Sequence, residues 1–206
     1  MFNELKTQIK ELKEIQEQNN IWKGSSFEEI NDLKIDYSGK VGENSLYEFL
    51  KSNTNYDIEF NFDSNVNAED GTYDLKVNNK RLEIKTARLG NPPITKSKKK
   101  RKSNTGTFQH ENLHNGVCDF TIFIDITPKE YFITFLDLRN FNLSEKHEVF
   151  KTKAHLRKNS DNRFKFDTSF TSLSRGISGG LTMRCDHETH KSEILNFIDK
   201  FLNNSD

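Results

Sequence analysis

The chain has 206 residues, 33% of them hydrophobic and 11% aromatic, so it is long enough to bury the core of one domain. Its 31 basic and 31 acidic residues give a net charge of zero, which excludes nucleic-acid binding through global charge and leaves that role to local basic segments. Two cysteines exclude a disulfide framework, and no N-terminal apolar segment resembles a signal or membrane span, so we expect a cytoplasmic protein without membrane contact.

The N-terminal region predicts two helices. Residues 1–19 carry apolar side chains at close to three-four spacing, namely Phe2, Leu5, Ile9, Leu12 and Ile15. This narrow stripe either docks on the core or pairs with a second subunit, and of the two we favour docking. Capping-box spacing from Ser25 predicts a short second helix that ends near Leu33.

A third helix is predicted over residues 38–50, with Ser38 as its N-cap. Glu43 lies three and seven residues before Leu46 and Leu50, so it shares their buried face. An acid on the core side of a helix is costly unless it is paired or bound to a metal. The alternative is that Glu43 lies at the edge of the apolar stripe and reaches water.

Residues 71–87 follow a strand predicted at 57–62, and they predict a β-hairpin that turns at Asn78 and Asn79. Strand alternation separates an apolar face from a charged one. The apolar face has Leu75, Val77, Leu82 and Ile84, and the charged face has Asp74, Lys76, Arg81, Glu83 and Lys85.

This register places Asp74 directly opposite Glu83. Like charges in that arrangement destabilise a sheet by up to ~1 kcal/mol, so the pair needs a compensating feature. A bound divalent cation would provide one, because hard cations take carboxylate oxygens as ligands. The alternative is a charged face in water, where Lys76, Arg81 and Lys85 offset the two acids.

A loop at residues 91–103 follows the hairpin and contains the densest basic cluster of the chain: Lys96, Lys98, Lys99, Lys100, Arg101 and Lys102. This cluster could act as a nuclear localisation signal or simply form a solvated loop. Because the cluster follows the acidic face, we interpret it as a phosphate-binding segment that becomes ordered on binding. Gln109, just beyond it, is a candidate contact to the site or to DNA, with a structural role as the alternative.

The C-terminal half begins with two β-branched and aromatic runs, at 119–126 and 131–138, which predict central strands covered by helices on both faces. Residues 141–187 are basic and polar, and their candidate contacts to phosphates and base edges are Lys153, Arg157, Arg163 and Arg175. A short strand at 181–185 precedes a last helix capped by Thr189. The core stripe of that helix is Ile194, Phe197, Ile198 and Phe201.

These features together resemble the PD-(D/E)XK nuclease superfamily, the fold of many restriction endonucleases. The resemblance covers about residues 38–138 and rests on the acid of the third helix, Glu43, on Asp74, and on the Glu83-Ile84-Lys85 tripeptide. Tyr73 stands where that family has its eponymous proline, which makes the match less specific but removes no ligand.

The resemblance implies an α/β, restriction-endonuclease-like mixed central sheet of about five strands flanked by helices. It also implies a single nuclease domain with N-terminal helices at 1–37, a catalytic core at 38–138 and a DNA-contacting segment with the last helix at 139–206. Asp74 and Glu83 would bind Mg²⁺, for which Mn²⁺ can substitute, with the Ile84 carbonyl and Glu43 as further ligands. Lys85 would position or deprotonate the attacking water.

The expected activity is therefore site-specific hydrolysis of double-stranded DNA by a homodimer, as in type II restriction enzymes. A repair nuclease directed by DNA structure or modification is one alternative, and a non-catalytic nucleic-acid-binding module is another. The cysteines and histidines match no zinc-finger spacing, so we expect no zinc site.

Overall fold

The computed structural model describes residues 2–18, 20–61, 73–90, 107–113, 118–137, 157–158, 164–169 and 181–203. The helical elements are α1 (Phe2–Gln18), the 3-10 helix η1 (Glu28–Asn31), α2 (Ile35–Asn53) and α3 (Lys191–Leu202). The strands are β1 (Ile58–Phe60), β2 (Leu75–Val77), β3 (Lys80–Arg88), β4 (Thr107–Leu113), β5 (Phe120–Ile126), β6 (Tyr131–Leu136), β7 (Arg157–Lys158), β8 (Phe164–Ser169) and β9 (Thr182–Cys185).

The strands form two sheets. The central sheet has six strands in the order β1-β2-β3-β5-β6-β9, in which only β3 and β5 run parallel. The second sheet has three antiparallel strands in the order β4-β8-β7. The protein is thus an α/β protein with a mixed central sheet, as predicted, although with six strands in that sheet where about five were expected.

The central strands are buried on both faces, as their apolar sequences predict. On one face, Leu46 of α2 and Phe197 of α3 belong to the same core as Ile84 and Ile122. On the other face, Phe108 of β4 packs with Ala87 and Phe132. Among the described residues this second face is covered by a strand of the second sheet and not by a helix, so the expectation of helices on both faces is not met there.

The turn of the β2–β3 hairpin is correctly predicted. Asn78 and Asn79 have φ angles of 47° and 67°, the left-handed conformation that a two-residue turn needs and that asparagine tolerates. Leu75 pairs with Leu82, and both side chains are fully buried. The apolar face of the hairpin therefore lies in the core, and the charged residues lie on the opposite face.

Helix α2 approaches β3 closely at Gly42. A Cβ atom at this position would lie 2.0 Å from Thr86 Oγ1 and 3.2 Å from Ile124 Cδ1. The Thr86 hydroxyl also donates a hydrogen bond to the Gly39 carbonyl, at 3.3 Å. The missing side chain of Gly42 thus allows α2 to pack on the sheet, and the next residue along the helix is Glu43.

The predicted caps of α2 and α3 are wrong. Helix α2 begins at Ile35, so Ser38 lies inside it and its hydroxyl donates to the Lys34 carbonyl instead of capping the first turn. His190 occupies the N-cap position of α3, where its amide donates to Glu193 Oε1 at 3.4 Å. The Thr189 hydroxyl instead accepts a hydrogen bond from the Asp186 amide and donates one to Asp186 Oδ1, in the turn before the helix.

The second predicted helix is only the single turn η1, and Phe27 at its start has no side-chain capping hydrogen bond. The capping box expected from Ser25 is therefore not formed. Instead, the Glu28 carboxylate accepts a hydrogen bond from the Gly24 amide at 2.8 Å. A helix of four residues is too short to show a periodic apolar pattern, so its bounds are hard to predict from sequence.

The expectation that the apolar stripe of α1 docks on the core is wrong for Ile9 and Leu12, whereas the side chains of Phe2, Leu5 and Ile15 lie outside those that the structure describes. Every side chain described on this helix, from Lys6 to Glu14 and from Gln16 to Gln18, is exposed. Ile9 is 66% exposed and Leu12 is 41% exposed. Among the described residues, no helix is long and apolar enough to cross a membrane.

Candidate active site

Asp74 lies immediately before β2, one residue beyond the end of the hairpin ladder. Its amide donates to the Leu82 carbonyl at 2.9 Å, and its Oδ2 accepts a hydrogen bond from the Ile84 amide at 2.6 Å. The carboxylate thus reaches across β3 to the backbone between Glu83 and Lys85. The hairpin sequence brings these three residues together without help from distant parts of the chain.

Glu83 is a buried acid with two polar neighbours. Its Oε1 lies 2.9 Å from Lys85 Nζ, and its Oε2 accepts a 3.4 Å hydrogen bond from the hydroxyl of Thr121, the residue beside it on β5. Only 8% of the Glu83 side chain is exposed, against 25% for Lys85. The interpretation of the hairpin as a fully solvated charged face is therefore wrong for Glu83.

Glu43 reaches this region from α2. It is buried, as its position on the apolar stripe predicts, and its Oε2 lies 2.6 Å from Lys40 Nζ one helical turn earlier. The Lys40 side chain is half exposed. The close approach at Gly42 explains how a helical acid comes within electrostatic range of the hairpin.

The electrostatics of Asp74 show that these groups act on one another. Burial is the main cause that raises its pKa from 3.8 to about 6, and the negative charges of Glu43 and Glu83 contribute to the rise. The hydrogen bond from the Ile84 amide and the positive charge of Lys85 oppose this rise. A cation bound near Asp74 would therefore stabilise the ionised form of this carboxylate.

The carboxylates are not assembled as a ready-made metal site. In the part of the chain that the structure describes, no three His, Cys, Asp or Glu side chains form a group that could hold a metal ion. Glu83 is paired with Lys85, and Glu43 with Lys40. The oxygen donors of Asp74, Glu83 and the Ile84 carbonyl suit Mg²⁺, which would have to compete with these lysines.

Cys118 lies near the same acids. Burial raises the pKa of its thiol to about 12, and the charges of Glu83, Asp74 and Asp119 contribute to the rise. Metals bind the thiolate, so a thiol that stays protonated at neutral pH is a poor ligand.

A buried pair of His110 and Asp125 adjoins the candidate site; the sequence makes His110 a candidate beside Gln109 but does not predict its pairing with Asp125. His110 Nε2 lies 2.9 Å from Asp125 Oδ1, and both side chains are almost fully buried. The imidazole packs on Phe123, whose backbone pairs with Lys85, at a centroid distance of 4.5 Å. Within the described residues, His110 Nδ1 is buried and has no hydrogen-bond partner.

The predicted DNA-contacting residues are only partly placed. Gln109 is exposed, whereas its neighbours Phe108 and His110 are buried toward the central sheet, so Gln109 lies on the outer side of β4. Arg157 belongs to β7, which pairs with β8. The remaining candidates lie outside the described residues: Lys96, Lys98, Lys99, Lys100, Arg101, Lys102, Lys153, Arg163 and Arg175.

Searches of protein-family models, curated proteins and solved structures found no match to this chain. No family is therefore assigned. The resemblance to PD-(D/E)XK nucleases rests on the hairpin and helix residues alone.

Proposed function

We propose that the protein is a Mg²⁺-dependent endonuclease that hydrolyses phosphodiester bonds of double-stranded DNA. One observation carries the proposal: the Asp74 carboxylate is bound to the Ile84 amide and interacts electrostatically with Glu43, Glu83 and Lys85. Carboxylate and carbonyl oxygens can hold a divalent ion, and such an ion can activate water and stabilise charge in phosphodiester hydrolysis. The likeness to the restriction-endonuclease fold is part of the same proposal.

Asp74 and Glu83 would hold the ion, with the Ile84 carbonyl and, through water, Glu43 as further ligands. Mn²⁺ would substitute for Mg²⁺, because both accept carboxylate and carbonyl oxygens. When bound, the ion lowers the pKa of a coordinated water and stabilises charge on the phosphate. Asp74 must be ionised to take this role, which its pKa of about 6 permits at neutral pH.

Lys85 supplies positive charge, whereas the acids supply negative charge. Its ammonium is held near Glu83 and is partly exposed, so it can donate hydrogen bonds both to a phosphate oxygen and to the water that attacks the phosphorus. Lys40 is more exposed and offers a second positive charge at the edge of the site. The two lysines would thus attract the phosphate that the carboxylates repel.

The most specific form of the proposal is a type II restriction enzyme, active as a homodimer that cuts both strands. The basic segments at 96–102 and 151–165 would attract duplex DNA. The protein would first contact the DNA phosphates and only then the base edges. A cytoplasmic location is part of this proposal.

Incubation with Mg²⁺ and a panel of plasmid, linear, mismatched and branched DNA tests the activity. We expect discrete bands from plain duplex, and loss of cleavage in Asp74→Ala and in Lys85→Ala. Asp57→Ala and Lys80→Ala, near the turn end of the hairpin, are matched controls that should cleave normally. Unchanged cleavage in both site variants would overturn the proposal, and nicking of only mismatched or branched DNA would favour a repair nuclease.

A non-catalytic nucleic-acid-binding module is the second candidate. The ion pairs of Glu83 with Lys85 and of Glu43 with Lys40 favour it, because they neutralise the acids without a metal. Calorimetric titration with Mg²⁺ and Mn²⁺ separates the two candidates. The nuclease requires binding that Asp74→Asn removes, whereas the binding module shows none.

A further inference from the structure

Two apolar features of the described residues have no occupant. The first is the exposed side of α1 around Ile9 and Leu12. The second is an open cavity of about 520 Å³ in the helical layer over the central sheet, lined mainly by apolar side chains. We call this cavity the η1 groove and define it by Phe27, Ile30, Leu33, Leu46, Ile126 and Ile194.

The η1 groove is a gap between three elements. Phe27 and Ile30 come from the η1 segment, Leu46 from α2 and Ile194 from α3, and Ile126 of the central sheet forms part of the floor. Ile30, Leu46, Ile126 and Ile194 are buried, and Leu33 at the rim is 36% exposed, so the groove is a recess in the core that opens beside Leu33.

The wall formed by the η1 segment is firmly attached to the sheet. The Arg88 guanidinium donates to the Ile30 carbonyl, and Trp22 Nε1 donates to the Leu89 carbonyl at 3.2 Å. Trp22 is fully buried. The groove is therefore part of the folded core, and it does not depend on a loose loop for its shape.

The charges beside the two features are complementary. On a helix, residues three and four apart are neighbours, so Lys6 and Lys13 both lie alongside Ile9. Glu14 lies on the opposite side of α1 by the same spacing. At the groove, Glu29 belongs to the lining, and Asp32 is exposed just beyond η1. A basic edge of α1 would thus meet an acidic edge of the groove.

We propose that α1 of one copy of this chain packs into the η1 groove of a second copy, and that the second copy returns the same contact. A two-fold axis would relate the two contacts, as in most homodimers. Such a dimer would hold whether or not the protein cleaves DNA.

Two competing arrangements are distinguished by the experiments that follow. The first is docking of α1 in the groove of its own chain, where the turns at residues 20–25 and the buried Trp22 hold the segment that follows α1. The second is direct antiparallel pairing of two α1 helices through Ile9 and Leu12, which would bring both Lys13 and Glu17 of one helix near Lys6 of the other. In the groove, Lys6 and Lys13 would meet Glu29 and Asp32.

Analytical ultracentrifugation of the full chain is the first test. We expect a mass of twice 24.1 kDa at micromolar concentration, and a monomer for both Leu12→Asp and Leu33→Asp, two positions already exposed in the single chain. Glu14→Lys is the matched control and should remain dimeric. A wild-type monomer overturns the proposal, and so does a dimer lost only in Leu12→Asp, since that result indicates direct pairing of α1 helices.

Charge reversal tests the proposed register. Lys13→Glu and Glu29→Lys should each weaken the dimer at least tenfold, and the double variant should recover most of that loss. No recovery in the double variant would contradict the contact. Circular dichroism of each variant verifies that a weaker dimer does not reflect unfolding.

Disulfide trapping distinguishes a second copy from the same chain. Leu12→Cys with one tag and Leu33→Cys with another should form a mixed-tag disulfide dimer on oxidation, while the native Cys118 and Cys185 are buried. A disulfide that forms within a chain carrying both substitutions, with no mixed product, overturns exchange between copies. A small apolar molecule found in the groove of a monomer by native mass spectrometry overturns it as well.

Discussion

Asp74 carries the clearest consequence at the scale of single residues, because its carboxyl holds a proton in the folded state to about pH 6. In the unfolded chain the group releases that proton near pH 3.8. Folding stability therefore falls as pH rises from 3.8 to about 6, and above that pH the cost of burying the charge is fully present.

Asp74→Asn should remove this cost while keeping an acceptor for the Ile84 amide. We expect it to raise the free energy of unfolding by about 1–3 kcal/mol at pH 7, a gain that shrinks toward zero near pH 4. Urea unfolding at pH 4, 5.5 and 7 measures it. Mg²⁺ should stabilise the wild type and not this variant. An equal effect of the substitution at all three pH values would contradict the assigned titration.

Lys85→Met separates metal binding from catalysis. The substitution removes the cation that pairs with the buried Glu83, so we expect a loss of about 1–4 kcal/mol in stability without metal. Mg²⁺ should then bind at least as tightly as in the wild type, because a competing cation is gone, whereas DNA cleavage should be lost. Calorimetry and a cleavage assay on the same sample test this. Weaker Mg²⁺ binding would show that Lys85 does not compete with Mg²⁺ for the carboxylates.

Part of the site was predictable at this scale, and the physical reasons are local. The two-residue turn and strand alternation were enough to separate Leu75 from Asp74 and Leu82 from Glu83. The neutralisation of Glu83 by Lys85 was one of the alternatives that the sequence offered, but the burial of Glu83 could not be predicted, because it depends on how β5 and Thr121 cover that side of the sheet.

Gly42 carries a prediction at the scale of elements. Gly42→Ala would place a methyl group against Thr86 Oγ1 and should push α2 away from β3, at a cost of about 1–3 kcal/mol. Gly39→Ala is the matched control on the same helix, since open space surrounds that position, and it should stabilise the protein slightly.

Thermal unfolding of both variants and of Gly42→Ala/Thr86→Ala tests this packing. The double variant removes the hydroxyl that lies 2.0 Å away and should recover part of the loss. Equal effects of the substitutions at Gly39 and Gly42 would mean that helix propensity, and not the close approach, determines stability here.

His110 and Asp125 join two elements that no sequence pattern linked. Because they lie on β4 and β5, their pair ties the second sheet to the central one. A double-mutant cycle with His110→Ala and Asp125→Ala should give a coupling energy of about 1–3 kcal/mol in urea unfolding. Additive effects would mean that the pair contributes nothing beyond its separate packing.

Element boundaries were less predictable than element types, for physical reasons. The two central strands were clear because Phe, Ile and Thr fill them almost continuously, whereas β4 carries Gln109, His110 and Glu111 among its few apolar residues. Its burial comes from the sheet it packs on, which local sequence does not encode. The apolar stripe of α1 likewise does not reveal whether Ile9 packs on the core, because that depends on where the rest of the chain lies.

The balanced charge of the chain matters at the scale of the whole molecule, because any affinity for DNA must come from local segments. Replacing Lys98, Lys99 and Lys100 by Gln should reduce the slope of log affinity against log salt by about 2–3, since each phosphate that a lysine neutralises contributes up to ~0.9 to that slope. Replacing the exposed Lys23, Lys51 and Lys129 removes the same charge and is the matched control. Fluorescence anisotropy across salt concentrations measures both, and equal slopes would contradict a phosphate-binding role for the cluster.

From the single parallel pairing in the central sheet we expect an order of folding events. The β2–β3 hairpin can close in about 1–10 μs, because its turn joins adjacent strands and asparagine favours the required backbone angles. Pairing of β3 with β5 must wait until the chain between residues 88 and 120 has looped back, which is slower because loop closure costs entropy before contacts form. Asp74 thus meets Glu83 and Lys85 early, in water, and the energetic cost of burying them arises late, when β5 adds to the sheet.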